Sequence, residues 1–222
     1  MKTACVILAA GEGTRMKSSV PKVLHPVCGR PMIAYPVELA LKLRADRVAA
    51  VIGHQGERVK KAIREHFPKA KIDYAWQKTQ EGTGHAVLQA KRALRGFKGD
   101  VLILSGDVPL LQLDTIRQFR RLHHRAEAAM SVLATVMDDP TGYGRCISEE
   151  DGLLRAIVEE KDASDDLRQV NEVNAGIYLV DAELLWWALG RVGKDNAQGE
   201  LYLTDVVALA NECGREVRAF VT

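Results

Sequence analysis

The sequence has few aromatic residues and almost no net charge, and both shortages exclude classes of partner. Aromatic side chains make up 5% of the 222 residues. They are not interleaved with basic residues, as a single-strand nucleic-acid binder would require. The formal net charge of +2 gives no electrostatic reason to expect nucleic acid either. We therefore expect no nucleic-acid partner.

Long apolar runs and paired cysteines are also lacking. No segment approaches the ~20 apolar residues that cross a bilayer, so we expect no membrane partner. Residues 3–10 follow Met1 and Lys2 as in a signal peptide, but the run is short and glycines follow where a cleavage site would lie. The four cysteines form no C-x-x-C pair, which is typical of isolated thiols in a reducing compartment. These features predict a cytoplasmic protein.

The first half of the chain does contain a regular alternation of strand-like and helix-like segments. Its periodicity predicts strands at 4–8, 47–52, 71–75 and 100–104, and helices at 31–43, 57–67 and 83–94. Pro31 suits the first turn of its helix, and Asp114 is the expected cap of the helix after the fourth strand. Units of this length favour right-handed crossovers and a doubly wound sheet.

The second half changes character. Its pattern predicts strands at 128–136, 153–158 and 174–180, a turn at 141–144, and helices near 184–189 and 203–211. There is no linker, internal repeat or low-complexity stretch. We predict one α/β domain over residues 1–222, with a Rossmann-like, mainly parallel mixed sheet and helices on both faces. A small antiparallel extension is expected to close one side of the pocket.

A glycine-containing loop follows the first strand and carries the strongest functional signal. Residues 8–15 read LAAGEGTR, and Pro21 and Lys22 come shortly after. Glycines allow backbone N–H groups to approach an anion, and Arg15 and Lys22 supply neutralising charge, which favours a phosphate site. The loop lacks the Gly-Lys-Ser/Thr of a Walker motif and the third glycine of a dinucleotide fingerprint. The alternative is a tight turn whose glycines serve geometry alone.

The segment after the fourth strand, Ser105-Gly106-Asp107, supplies a candidate metal ligand. A carboxylate at the carboxyl end of a strand is well placed to hold Mg²⁺ against a bound triphosphate. In the alternative interpretation Asp107 is only a cap or turn residue.

Weaker candidates follow the third strand. Gln77 could pair with a base edge, and Gly82 and Thr83 could let a flat ring rest against the backbone. We interpret His85 as a structural residue of the first helical turn rather than a catalytic base.

Taken together, these motifs resemble those of the sugar-1-phosphate nucleotidyltransferases. The segments that extend the resemblance along the chain are 81–85 (EGTGH), 106–110 (GDVPL), 138–145 (DDPTGYGR), 157–163 (IVEEKDA) and 196–200 (NAQGE). Together, and in this order along the chain, the five segments resemble the uridylyltransferase domain of a family of bacterial bifunctional enzymes. Those enzymes combine a uridylyltransferase with an acetyltransferase in cell-wall precursor synthesis. The resemblance covers essentially the whole chain and implies a nucleotidyltransferase, GT-A-like fold.

The resemblance implies that UTP and N-acetylglucosamine 1-phosphate are converted to UDP-N-acetylglucosamine and pyrophosphate, with Mg²⁺ as cofactor. The catalytic residues implied are Arg15, Lys22 and Asp107, of which Asp107 binds the metal. The implied nucleotide-binding residues are Leu8, Ala9, Ala10, Gly11, Gly13, Lys22, Gln77, Gly82 and Thr83. The implied sugar-binding residues are Ser105, Gly106, Asp107, Gly144, Glu159, Asn174, Tyr202 and Thr204.

Some of these residues have a plainer interpretation. By composition alone, Glu159 belongs to a charged loop and Asn174 caps a turn. The resemblance favours instead a carboxylate that accepts hydrogen bonds from sugar hydroxyls and an amide that recognises the acetamido group.

The sequence also departs from the family, which leaves alternatives open. A second metal-binding Asn and a left-handed β-helix with the acetyltransferase site would follow Thr222 in the family, so we assign neither acetyltransferase activity nor a trimer. The sequence does not decide whether the protein self-associates. The alternatives are a stand-alone nucleotidyltransferase for another sugar 1-phosphate or nucleotide, and a nucleotide-sugar binding module without turnover.

Overall fold

Over residues 1–13 and 16–222, which the computed structural model describes, the chain forms a mixed sheet of nine strands and a separate two-stranded ribbon. The strands are β1 Thr3–Ala9, β2 Pro26–Val27, β3 Arg30–Pro31, β4 Arg47–Ile52, β5 Asp73–Trp76, β6 Asp100–Ser105, β7 Met130–Val136, β8 Arg145–Ser148, β9 Leu154–Val158, β10 Glu172–Asp181 and β11 Val217–Val221. The helices are α1 Ala34–Lys42, α2 Gly56–His66, α3 Thr83–Gln89, α4 Leu113–Arg125, α5 Asp165–Arg168, α6 Ala182–Leu189 and α7 Asp205–Glu212, and a 3-10 turn covers Lys22–Leu24.

The strand order is β11-β7-β10-β6-β1-β4-β5, with β8 and β9 attached beside β10. Strands β6, β1, β4 and β5 are parallel neighbours, and β11 runs parallel to β7. Strand β10 lies antiparallel between β6 and β7. The predicted fold, a mainly parallel α/β sheet with a small antiparallel extension, is confirmed.

Helices cover both faces of this sheet because the central strands alternate between two apolar cores. In β1, Ala4 and Val6 belong to the core beneath α3, α6 and α7, whereas Cys5 and Ile7 belong to the core beneath α1, α2 and α4. All four residues are fully buried. Continuous apolar strands of this kind are typical of parallel sheets that are covered on both sides.

Strand β1 is the point at which the order of connections reverses. The chain passes from β1 to β4 on one side and returns as β6 on the other. In open α/β sheets, ligands bind beyond the carboxyl ends of the strands at such a reversal. The loops after β1, β5 and β6 meet there.

A bulge interrupts β10 where it passes this edge of the sheet. Asn174 pairs with Ala134 of β7, but the next pair joins Ile177 to Leu133, so two residues of β10 are left out of the ladder. The first of the two hydrogen bonds that hold the bulge runs from the Gly176 amide to Asn174 Oδ1, at 2.8 Å. The second is donated by Asn174 Nδ2 to the buried Tyr178 hydroxyl.

Three local predictions from the sequence are wrong. Pro31 lies in the β2–β3 ribbon and not in the first turn of α1, which begins at Ala34. Helix α3 ends at Gln89, and the chain continues in turns through the rest of the predicted segment. Asp114 does not cap α4, because the cap position is Gln112 and Asp114 pairs with Arg117 in the first turn.

Within the described part of the chain, no helix is both long enough and apolar enough to pass through a membrane. All four cysteines are free thiols. Cys5 and Cys146 are buried, and burial raises the pKa of each to about 12. Both buried thiols are therefore protonated at neutral pH.

Candidate active site

A cleft of about 560 Å³ opens at the carboxyl ends of β1, β5 and β6. All the residues predicted to bind the nucleotide line it, and so do Ser105 and Asp107. The lining residues are Leu8, Ala9, Ala10, Gly11, Gly13, Met16, Lys22, Val23, Gln77, Gln80, Gly82, Thr83, Ala86, Ser105, Asp107 and Glu200. Arg15 lies outside the described residues. The sequence motifs that are far apart along the chain therefore share one cavity.

The glycine loop after β1 packs tightly against the segment that carries Lys22. Gly13 has φ +64°, and a Cβ atom at this position would lie 2.6 Å from Lys22 Cβ. A side chain is excluded here both by the backbone conformation and by the contact. Gly13 therefore lets the 3-10 turn bring Lys22 to the cleft.

Lys22 and Asp107 form an ion pair across the cleft. Lys22 Nζ lies 2.5 Å from Asp107 Oδ2, and the two side chains are 42% and 30% exposed. Asp107 is held close to the β1 loop because the Gly106 amide donates to the Leu8 carbonyl at 2.8 Å. A Cβ atom on Gly106 would lie 2.7 Å from that carbonyl oxygen, so only glycine fits. The pair presents one cation and one anion to the same solvent-accessible space.

Gln77 and Gly82 are connected to each other as well as to the cleft. Gln77 is buried, and its Nε2 donates to the Gly82 carbonyl at 3.2 Å and lies 3.1 Å from His85 Nδ1. His85 Nε2 in turn lies 2.9 Å from Gln89 Nε2. His85 thus sits between two glutamines in the first turn of α3, in agreement with a structural role.

The loop before α3 is fixed to the segment that precedes α7. Gly82 has φ +102°, and a Cβ atom there would lie 2.5 Å from the Leu201 carbonyl oxygen. The Thr83 hydroxyl accepts a hydrogen bond from the Leu203 amide at 3.1 Å. The two segments together form one wall of the cleft.

Four of the predicted sugar-binding residues form a second group beside the cleft. The Thr204 hydroxyl donates to Glu159 Oε1 at 3.1 Å, and a Cβ atom on Gly144 would lie 3.4 Å from Glu159 Oε2. The backbone N–H of Asn174 donates to the Gly144 carbonyl at 2.9 Å. We call Gly144, Glu159, Asn174 and Thr204 the carboxylate group.

Burial raises the pKa of Glu159 above the usual glutamate value, and nearby acidic residues raise it further, against the hydrogen bond from Thr204. Ser105 connects the two regions, because it lines the cleft and its Oγ would lie 3.3 Å from a Cβ atom on Gly176. Tyr202 stands slightly apart, donating to Asp162 Oδ2 at 3.1 Å. Its hydroxyl also accepts a hydrogen bond from Gln198 at 2.9 Å.

Arg145 is buried and contacts the turn that leads into Gly144. Its side chain is 1% exposed and pairs with Glu160 at 2.7 Å. Its guanidinium also donates to the Tyr143 carbonyl and to the Arg168 carbonyl. Because Glu160 accepts from the Gly142 amide at 3.2 Å, Arg145 fixes the turn that presents Gly144.

Among the polar residues that line the cleft, sequence reasoning missed Gln80 and Glu200. Gln80 Nε2 donates to the Ala10 carbonyl at 2.7 Å and so joins the β5 loop to the glycine loop. Its position two residues before Gly82 carries no periodic or motif signal of its own. Glu200 lies at the end of the segment 196–200, which had drawn attention only through the resemblance.

Comparison with known proteins gives concordant results. The sequence model described as "Nucleotidyl transferase" matches residues 4–222. Proteins named "Bifunctional protein GlmU" are 53% identical in Anaeromyxobacter dehalogenans (strain 2CP-C) over 211 residues, 51% identical in Geobacter sulfurreducens over 212 residues, and 46% identical in Bacillus subtilis (strain 168) over 221 residues. These alignments cover 95%, 95% and 100% of this chain but 43%, 44% and 47% of the relatives. The chain thus spans less than half the length of these relatives.

Two solved structures share the fold. A UDP-glucose pyrophosphorylase complexed with UDP-glucose superposes with a TM-score of 0.81 at 22% identity, covering 99% of this chain and 91% of that chain. An apo UDP-glucose pyrophosphorylase gives a TM-score of 0.77 at 23% identity, with coverage of 100% and 90%. At this identity the similarity establishes the architecture of the sheet.

Proposed function

This chain belongs to the nucleotidyl transferase family, and we propose that it transfers a uridylyl group from UTP to N-acetylglucosamine 1-phosphate. The products are UDP-N-acetylglucosamine and pyrophosphate. Relatives of about 50% identity along this part of their length support the choice of reaction. The production of cell-wall precursors and a cytoplasmic location stay predictions that accompany this proposal.

The observation that carries the proposal is that the Lys22–Asp107 pair shares one cavity with the glycine loop and the loop before α3. Ser105 lines the same cavity, and its Oγ would lie 3.3 Å from a Cβ atom on Gly176, two residues after Asn174 of the carboxylate group. A reaction that joins a nucleotide to a sugar phosphate requires both substrates to meet at their phosphates. We assign the ammonium of Lys22, which pairs with Asp107 in the cleft, to that junction.

The reaction itself needs positioning and charge neutralisation more than proton transfer. An oxygen of the sugar phosphate attacks the α-phosphorus of UTP, and the bond to the β-phosphate oxygen breaks, so pyrophosphate leaves with that electron pair. The attacking oxygen is already anionic, so no general base is required. Lys22 offsets the repulsion between the two anions, and we assign Arg15 to the departing pyrophosphate.

The nucleotide is assigned to the loops around β1 and α3. We propose that residues 8–11 and 13 approach the phosphates and ribose through their backbone, since glycines leave the N–H groups accessible. Gln77, Gly82 and Thr83 are assigned to the uracil. The hydrogen bonds of Gln77 and Thr83 within the protein hold this wall in place before the nucleotide binds.

Asp107 fits a divalent metal. Its carboxylate supplies the hard oxygen atoms that Mg²⁺ prefers, and it is accessible from the cleft at the end of β6. Proteins commonly bind Mg²⁺ through one or two carboxylates, leaving the other positions to phosphates and water. When bound, the ion would neutralise negative charge on the triphosphate.

The carboxylate group is assigned to the sugar. We propose that Glu159 accepts hydrogen bonds from sugar hydroxyls, that Asn174 recognises the acetamido group, and that Gly144 leaves room for the ring. Thr204 orients Glu159 through its hydrogen bond, and we assign Tyr202, which bonds Asp162, to the same side of the site. Ser105 and Gly106 carry the backbone between the sugar and Asp107.

Pyrophosphate release from a panel of nucleotides and sugar 1-phosphates tests the proposal. Release confined to UTP with N-acetylglucosamine 1-phosphate is the expected result. The Lys22→Ala variant, purified in parallel, controls for a contaminating host enzyme. Release with a different pair would replace the proposed substrates, and tight UTP binding without release would replace transfer by binding alone.

A further inference from the structure

A second cluster of metal-ligating side chains lies at the opposite edge of the sheet. Asp100 is the first residue of β6, and His123 and His124 are near the end of α4. Because Ser105 ends the same strand in the cleft, Asp100 lies about 17 Å from it along β6. This cluster is therefore separate from the proposed uridylyltransferase site.

The distances in the cluster fit a small tetrahedral ion. His124 Nε2 lies 3.4 Å from Asp100 Oδ2, and His123 Nε2 lies 3.8 Å from Asp100 Oδ1. One ligand atom from each residue lies within 4.8 Å of the other two. Ligands about 2.1 Å from a tetrahedral zinc ion are separated by about 3.4 Å, so a small contraction would complete the site.

The Asp100 carboxylate is buried, and the nearby imidazoles do not hydrogen-bond to its Oδ2 atom. Asp100 is 3% exposed, and its buried Oδ2 atom accepts no hydrogen bond from the residues that the structure describes. Buried polar atoms are rarely left unpaired, because desolvation of a charged oxygen is costly. A cation bound between the carboxylate and the two imidazoles would remove this cost.

The histidines are arranged as metal ligands usually are. His123 Nδ1 lies 2.7 Å from the hydroxyl of the buried Ser131, which leaves Nε2 directed at Asp100. Such a bond to the far nitrogen fixes the orientation of a ligating imidazole.

The surroundings leave a route for an ion. The side chain of His124 is 29% exposed, so one side of the cluster reaches solvent and could hold a water as fourth ligand. Of the neighbouring cations, Arg120 directs its guanidinium to the Thr3 hydroxyl at 2.8 Å.

We propose that Asp100, His123 and His124 bind one divalent transition-metal ion of the Zn²⁺ type. Two imidazoles and a carboxylate suit zinc, whereas Mg²⁺ prefers oxygen ligands alone. The ion would join the end of α4 to the start of β6. Its role is structural, since the substrates are assigned to the other edge of the sheet.

Titration of the metal-free full chain with Co²⁺ and Zn²⁺, in the absence of Mg²⁺, tests this site. The variants are Asp100→Asn, which preserves shape, and His124→Gln, which alters a partly exposed residue. His66→Gln on the exposed face of α2 is the matched control. Circular dichroism and thermal unfolding verify that each variant is folded before the titration.

We expect one equivalent of Co²⁺ with visible absorption bands, displaced by Zn²⁺, and an increase in Tm on adding Zn²⁺. Binding should weaken at least tenfold in both cluster variants and stay unchanged in His66→Gln. Absence of binding by the wild type at tens of micromolar metal would overturn the proposal. So would equal binding by the cluster variants, or the intense near-ultraviolet bands of a thiolate ligand, which would point to the exposed Cys28 or Cys213.

Discussion

Replacement of Lys22 by alanine separates a catalytic role from a structural one. The side chain of Lys22 is 42% exposed and that of its partner Asp107 is 30% exposed, so water can solvate the carboxylate that remains. Exposed ion pairs contribute at most about 1 kcal/mol to stability. For a chain of this size we expect Tm to fall by about 3 °C or less.

The effect on turnover should be much larger. Between unit charges near 4 Å, the interaction at a partly solvated site amounts to about 4 kcal/mol. Removal of one group that stabilises developing phosphate charge typically lowers kcat by about 10² to 10³. We therefore expect Lys22→Ala to lose at least about 100-fold in the rate of pyrophosphate release, while its unfolding transition stays near that of the wild type.

The assay is steady-state pyrophosphate release with saturating UTP and N-acetylglucosamine 1-phosphate, combined with urea unfolding. Lys42→Ala is the matched control, since Lys42 is 58% exposed and pairs with Glu38 at 3.2 Å on α1. A rate within about threefold of the wild type, or an equal loss in Lys42→Ala, would refute the catalytic role of Lys22.

Three further predictions concern the walls of the site. Gly82→Ala should destabilise the protein by about 1–3 kcal/mol, because φ is +102° and a Cβ atom would meet the Leu201 carbonyl. The variant should also bind UTP more weakly in calorimetry, whereas the control Gly96→Ala, at φ +72° with no described atom within 4 Å of its Cβ position, should leave UTP binding unchanged. For Glu159→Gln, the raised pKa of Glu159 fixes the sign: the wild type should lose stability relative to the variant as pH rises from about 4.3 through that raised pKa. Urea-unfolding profiles of the wild type and the variant that stay parallel across this pH range would contradict this prediction. The variant should also have a higher KM for the sugar phosphate. Arg145→Met should lower Tm by about 5 °C, since the Tyr143 and Arg168 carbonyls lose the guanidinium that donates to them. The variant should also have a higher KM for the sugar phosphate but not for UTP, and an equal change in both KM values would argue against positioning.

The sequence predicted the parts of the fold whose burial pattern is continuous. Strand β4 runs over the predicted residues 47–52, because its apolar side chains leave no alternative to a buried strand. Strand β11 was missed, since its pairing with β7 joins segments more than eighty residues apart. Pro31 was misplaced because the same φ angle serves a helix start and a short ribbon.

The candidate site shows the same division. Gly13 and Asp107 were identified because a glycine loop and a carboxylate after a strand are local signals. The pairing of Asp107 with Lys22 depends on how the 3-10 turn packs, which no spacing reports. Gln80 joins two loops seventy residues apart, and its role is visible only in three dimensions.

The bulge in β10 lets the strand border the pocket beside Ser105 while its later residues, 177–180, stay in the core. Two residues, and not one, are inserted in β10 opposite β7. Side chains from Ile177 onward therefore alternate between the two faces of the sheet in the same phase as those up to Asn174. Deletion of a single residue here would break that phase, so the segment from Ile177 to Val180 would keep its faces only if a one-residue bulge bent the strand. Removal or addition of residues in pairs would reshape the rim of the pocket while the interior stayed in step.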